Sequence, residues 1–120
     1  MSVDKKLIND KCKWLRQEIV KMVLPAGQGH IASALSHVEI CSTLFYGNFL
    51  KLRRNDPDFA ERDYFIISKG HSAMGVYPIL ADIGYFNKSE LKKFGKPDGI
   101  LRIYGDKSVP GVECTSGSLS

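Results

Sequence analysis

At 120 residues, 43% hydrophobic and 25% charged, the chain has the composition of one soluble globular domain and leaves no room for a second. Its net charge of +4 comes from basic residues scattered among acids, which argues against nucleic-acid binding, where lysines and arginines cluster among aromatics. Cys12, Cys41 and Cys114 lie far apart with no CxxC pair, which excludes zinc-ribbon and thioredoxin chemistry, and no apolar run reaches the roughly 20 residues of a membrane span, so the sequence reads as cytoplasmic.

Asp4 is placed to cap a first helix running to about residue 23. Leu7, Ile8, Cys12, Leu15, Ile19, Met22 and Val23 recur there at three- and four-residue steps and make one apolar face. Pro25, Gly27 and Gly29 break the pattern, so residues 24–30 read as a loop. Ser36-His37-Val38-Glu39 has capping-box spacing, and Ile40, Leu44, Phe45 and Phe49 continue it as a buried helix to about residue 50. Asn55-Asp56-Pro57-Asp58 is a turn. Tyr64-Phe65-Ile66-Ile67 is a short continuous apolar run, suited to a strand covered on both faces of a parallel sheet. Residues 71–83 read as a helix closed by Gly84, residues 89–94 as a shorter one, and the chain from Gly95 onward as loop. One strand with three or four helices is less than a doubly wound sheet requires. The expected fold class is therefore α/β, helix-rich and incomplete.

Three segments could carry chemistry. Gly29-His30 and Gly70-His71 each set an imidazole after a glycine at an element boundary, the second at the end of the predicted strand, where helix N-termini favour anions. Glycine lets a ligand approach the backbone, and an imidazole can donate a hydrogen bond or shuttle a proton near neutral pH. From spacing alone, two loop histidines bonded to backbone carbonyls is the competing reading. Neither has neighbours at metal-ligand spacing. His37 reads as a helix-surface residue. The run from Pro110-Gly111-Val112-Glu113 to Gly117-Ser118-Leu119 offers backbone N–H groups and hydroxyls that can cradle a phosphate, or is simply a Gly/Ser loop. Glu113 either orients a cation or imidazole or ties its own turn together. Neither GxGxxG nor GxxxxGK[ST] occurs.

In order and spacing these segments resemble the N-terminal part of transketolase, closest to the form split into two subunits. The carrying residues are Gly29-His30-Ile31-Ala32-Ser33-Ala34-Leu35-Ser36, Ile67-Ser68-Lys69-Gly70-His71-Ser72-Ala73, Tyr77, Ala81-Asp82-Ile83-Gly84-Tyr85-Phe86, Pro110-Gly111-Val112-Glu113 and Gly117-Ser118-Leu119. The resemblance implies the N-terminal portion of a thiamine-diphosphate-binding, doubly wound parallel-sheet domain across residues 1–120. It implies transfer of a two-carbon ketol unit from a ketose to an aldose, with the cofactor carrying the hard step and the protein positioning it and moving protons. His71 would contact the diphosphate and assist proton movements, His30 would face the reacting end of the donor, and Gly117 and Leu119 would line the cofactor. Mg²⁺ or another divalent cation is implied, with its ligands outside this chain.

The implied partner is a pyrimidine-binding domain or C-terminal transketolase subunit, in a homo- or hetero-oligomer acting on a sugar or sugar phosphate. Alone, the chain is expected to be inactive and prone to self-association through exposed apolar surface. Two departures stand out. Where the family has a donor-binding Gly-His-Pro, this chain has Ile103 in Leu101-Arg102-Ile103-Tyr104-Gly105-Asp106, with Tyr104 or Asp106 as substitutes, and Ala32 and Ser120 replace common glycines. Other enzymes of the same cofactor are alternatives, deoxyxylulose-phosphate synthase and the 2-oxo-acid dehydrogenase first component among them. A non-catalytic remnant or assembly module is the alternative of a different class.

Overall fold

The Asp4 carboxylate accepts the Leu7 amide at 3.0 Å and so starts α1, Lys5–Ala26, in a computed structural model that describes residues 3–27 and 29–115. Cys12, Leu15, Ile19, Met22 and Val23 of the expected apolar face are buried, whereas Ile8 is only partly buried and Leu7, near the helix start, is 39% exposed. The helix outruns the expected end at residue 23 and takes in Pro25. A proline in the last turn forfeits only one backbone bond, and Gly27 closes the helix at φ 67° with its N–H on the Leu24 carbonyl.

A short helix not read from the sequence follows, α2, Ile31–Leu35, and then α3, Val38–Tyr46. The expected capping box at Ser36 does not form. Ser36 instead ends α2, its hydroxyl donating to the Ser33 carbonyl at 2.6 Å, while the Glu39 carboxylate pairs with Arg16 of α1. Both side chains the box needs are thus committed elsewhere. α3 stops at Tyr46 rather than residue 50 because Gly47 and Asn48 turn the chain, Asn48 at φ 62°.

The run Tyr64-Phe65-Ile66-Ile67 is extended but is not covered on both faces. Phe65 and Ile67 pack on the core, whereas Tyr64 and Ile66 are 64% and 51% exposed. Among the described residues no strand is formed, and the lone bridge pairs Arg53 with Asp56. A strand requires a neighbour's backbone groups, and these residues supply none in ladder form. The α/β sheet expected from the sequence is therefore not present in the described part, which is helix-rich.

The helical stretch after it begins as a 3₁₀ turn, Gly70–Val76, and continues as α4, Tyr77–Asp82, with Pro78 in the first turn where its missing N–H costs nothing. Gly84 then turns the chain at φ 89°, and a Cβ there would lie 1.8 Å from the Asn55 side-chain oxygen, so only glycine fits. A second 3₁₀ helix, Lys88–Lys93, is capped by Asn87, and turns follow through residue 115.

Leu15, Ile19, Val38, Met74, Tyr77, Ile79, Phe94, Leu101 and Val109 meet in one core. Cys12 and Cys41 are buried in it as expected, and burial pushes the Cys41 thiol up to about 12. At the edge, Asp82 joins three helices: its carboxylate accepts from Lys11 Nζ at 2.9 Å and from the Tyr46 hydroxyl at 2.7 Å. Desolvation pulls the Asp82 carboxyl upward, but the hydrogen bonds from Tyr46 and Lys11 and the Lys11 and Lys88 charges outweigh it and hold it below its ordinary value. No helix among the described residues is long and apolar enough to cross a membrane.

Candidate cofactor site around His30 and His71

His30 occupies the N-cap of α2, with its backbone at φ −105° and ψ 80°, and makes no side-chain capping bond. His71 sits in the first turn of Gly70–Val76. The fold brings the two rings edge to face with centroids 5.2 Å apart. The Tyr104 ring lies near His30 as well, tilted, with centroids 6.2 Å apart. Among the described residues neither imidazole has a hydrogen-bond partner. Among these residues neither ring makes the bond to a backbone carbonyl that the competing reading requires.

Backbone geometry sets the pair. Gly29, at φ 118°, runs so close to the next layer that a Cβ would sit 3.1 Å from Met74 Sδ. Ser72 donates both its N–H (2.9 Å) and its hydroxyl (2.8 Å) to the Lys69 carbonyl, winding the turn that carries His71. The Gly105 N–H donates to the Gly70 carbonyl at 3.3 Å, and the Tyr77 hydroxyl to the Arg102 carbonyl at 2.6 Å, which together hold the segment that carries Tyr104. Of the two substitutes for the absent Gly-His-Pro histidine, Tyr104 is therefore beside His30. Asp106 is occupied in its own turn, where bonds from Ser108, the backbone one first, keep its carboxyl below the ordinary value.

Two other residues depart from, or resolve, the sequence reading. His37 is not a surface residue: it is half-buried, with Nε2 3.0 Å from the Ser72 carbonyl and Nδ1 3.2 Å from Cys41 Sγ. Glu113 orients a cation: Arg62, from a distant segment, donates Nε and Nη2 to its two oxygens, each at 2.8 Å, in a fork that is shielded from solvent. The Arg62 guanidinium also lies 4.5 Å over Tyr64, so the Pro110 turn is anchored to the extended run.

A narrow apolar cleft lies between that run and the turn, lined by Phe65, Ile67, Leu80, Gly111 and Cys114 but by none of the histidines. Gly117 and Leu119 lie outside the described residues. Among the described residues no group of three or more His, Cys, Asp and Glu side chains could hold a metal ion. Two imidazoles without a hydrogen-bond partner among the described residues have the donor chemistry that an anionic group takes.

The sequence matches the family described as "Transketolase, thiamine diphosphate binding domain" over residues 4–120. The chain belongs to that family. Its transketolase relatives include one of the subunits of an apulose-4-phosphate transketolase from Actinobacillus succinogenes, 37% identical over 118 residues, matching 93% of this chain and 41% of the relative. Human transketolase is 32% identical over 112 residues, covering 93% of this chain and 18% of that protein. Among solved structures, transketolase from Campylobacter jejuni superposes with a TM-score of 0.86 at 28% identity, over 95% of this chain and 18% of that one. Transketolase from Leishmania mexicana gives a TM-score of 0.79 at 27% identity, over 99% of this chain and 17% of its own. The chain thus spans about two fifths of a subunit-type transketolase and under one fifth of the single-chain forms. Its fold is that of the N-terminal, thiamine-diphosphate-binding part of transketolase.

Proposed function

We propose that this chain supplies the diphosphate side of a thiamine-diphosphate enzyme that moves a two-carbon ketol unit from a ketose to an aldose. The observation that carries the reading is the pair of unpartnered imidazoles, His30 and His71, brought to 5.2 Å from two separate elements. Bound thiamine diphosphate supplies the group that accepts and passes on the two-carbon unit. His71 donates an N–H to the diphosphate and moves a proton beside it, while His30 and Tyr104 face the ketose and orient its hydroxyls. Gly117 and Leu119 line the cofactor. A counter-ion for the diphosphate, Mg²⁺ or another divalent cation, is held by residues outside this chain.

Catalysis in this reading needs a pyrimidine-binding half, as a partner domain or a C-terminal subunit in a homo- or hetero-oligomer, and takes place in the cytoplasm. The Actinobacillus relative, named as one subunit of its transketolase, supports a two-subunit arrangement. Co-purifying the chain with such a half, then supplying thiamine diphosphate, Mg²⁺, ketose phosphates and aldoses, tests it. Mass spectrometry should find an aldose lengthened by two carbons only when both halves are present. A cofactor-loaded assembly that lengthens no acceptor refutes ketol transfer.

A further inference from the structure

The half-buried imidazole of His37 precedes α3 yet bonds to the turn that carries His71. A carbonyl can only accept, so the 3.0 Å contact with the Ser72 oxygen places the proton on Nε2. Nδ1 then presents a lone pair, and Cys41, one helical turn along α3, sits 3.2 Å away with its S–H as donor. The thiol stays protonated at working pH, because burial raises it to about 12. The result is one directed chain: Cys41 S–H to His37 Nδ1, then His37 Nε2–H to the Ser72 carbonyl.

Packing fixes the same ring a second way. A Cβ on Gly75 would lie 2.6 Å from His37 Cε1 and 3.0 Å from the Ala34 carbonyl, so the imidazole fills the space that Gly75 leaves open. Ser72 itself is fully buried and bonds back to the Lys69 carbonyl on the other side of His71. Ser72, the residue after His71, is therefore held at its N–H, its hydroxyl and its carbonyl.

We propose that His37 is a positioning residue: held in its Nε2–H tautomer by Cys41, it fixes the Ser72 peptide and with it the direction in which His71 meets His30. It touches neither substrate nor cofactor and acts through His71, so its catalytic consequence rests on the function proposed above.

The test uses the assembled two-half enzyme. His37→Ala should lower kcat about 10- to 100-fold with little change in donor KM, the cost of displacing a reacting group by about 1 Å. His37→Gln, whose amide can still donate to the Ser72 carbonyl, should recover most of that loss. Solid-state ¹⁵N spectra of histidine-labelled chain, assigned by subtraction of the His37→Gln spectrum, should show His37 protonated at Nε2, and Cys41→Ala should mix the tautomers. The His30–His71 ring contact should weaken in His37→Ala and return in His37→Gln. Wild-type kcat in His37→Ala, no recovery with glutamine, or a proton on Nδ1 would each overturn the proposal. If His37→Ala does not fold, the glutamine variant and the tautomer decide it. If the wild-type assembly binds cofactor but transfers nothing, the proposed function fails, and the tautomer and ring contact judge His37 by themselves.

Discussion

Replacing His71 with alanine in the assembled enzyme lowers kcat about 100- to 1,000-fold, the range expected when a positioned proton-transfer group is lost. The melting transition stays close to wild type, because the His71 ring is only half-buried and has no hydrogen bond among the described residues. In the site proposed above, affinity for thiamine diphosphate also falls, since His71 is there one of the donors to the diphosphate. His71→Asn separates the two roles: its amide N–H restores part of the binding but cannot carry a proton. Steady-state kinetics and cofactor titration on the same preparations measure both. Unchanged kcat in His71→Ala would remove the central residue of the proposed site.

Tyr77→Ala lowers stability by about 3–5 kcal/mol, the range for removing a buried aromatic ring. Tyr77 is fully buried at the junction of the 3₁₀ turn and α4, edge to face with Phe94 at 6.2 Å, and its hydroxyl donates to the Arg102 carbonyl at 2.6 Å. Burial, and next the Asp106 charge, raise the phenol above its ordinary value, so it remains a donor. Tyr77→Phe keeps the ring and strands that carbonyl, a loss of about 1–3 kcal/mol. Because the same bond holds Arg102, two residues before Tyr104, the phenylalanine variant should also move the Tyr104 ring away from His30. Denaturant titration of wild type and both variants gives the two losses. Equal stability of all three would contradict the core described above.

Legibility in the sequence follows the range of the interaction that fixes each feature. α1 is readable because a stripe of seven apolar residues at helical spacing has one face to bury. Its end differs from the expected one only because a proline in the last turn costs so little. The capping box at Ser36 fails for a reason no local pattern contains: Glu39 has a better partner in Arg16, one helix away. α2 escapes notice because five residues carry too little periodicity. The extended run at residues 64–67 is recognisable by composition, but its sheet depends on neighbours that the described residues do not provide.

The site divides the same way. Gly29-His30 and Gly70-His71 are visible as dipeptides, and the resemblance ties them to one cofactor, but their 5.2 Å meeting is a product of the fold. His37 reads wrongly as a surface residue because its partner, the Ser72 carbonyl, belongs to another element and to no side chain. The i, i+4 spacing of His37 and Cys41 is the one local signal that could flag it. Tyr104 stands in the sequence as a substitute for the missing donor histidine, and its ring lies against His30.

In the reading proposed above, His71 and His30 belong to one side of a cofactor site that another half completes. Calorimetric titration with thiamine diphosphate and Mg²⁺, on the chain alone and on the chain with its pyrimidine-binding half, tests this without intermediate assumptions. The chain alone should give no measurable heat of binding, and the two halves together clear saturation, reduced by His71→Ala. Micromolar binding by the isolated 120-residue chain would show instead that it holds the cofactor without a second half.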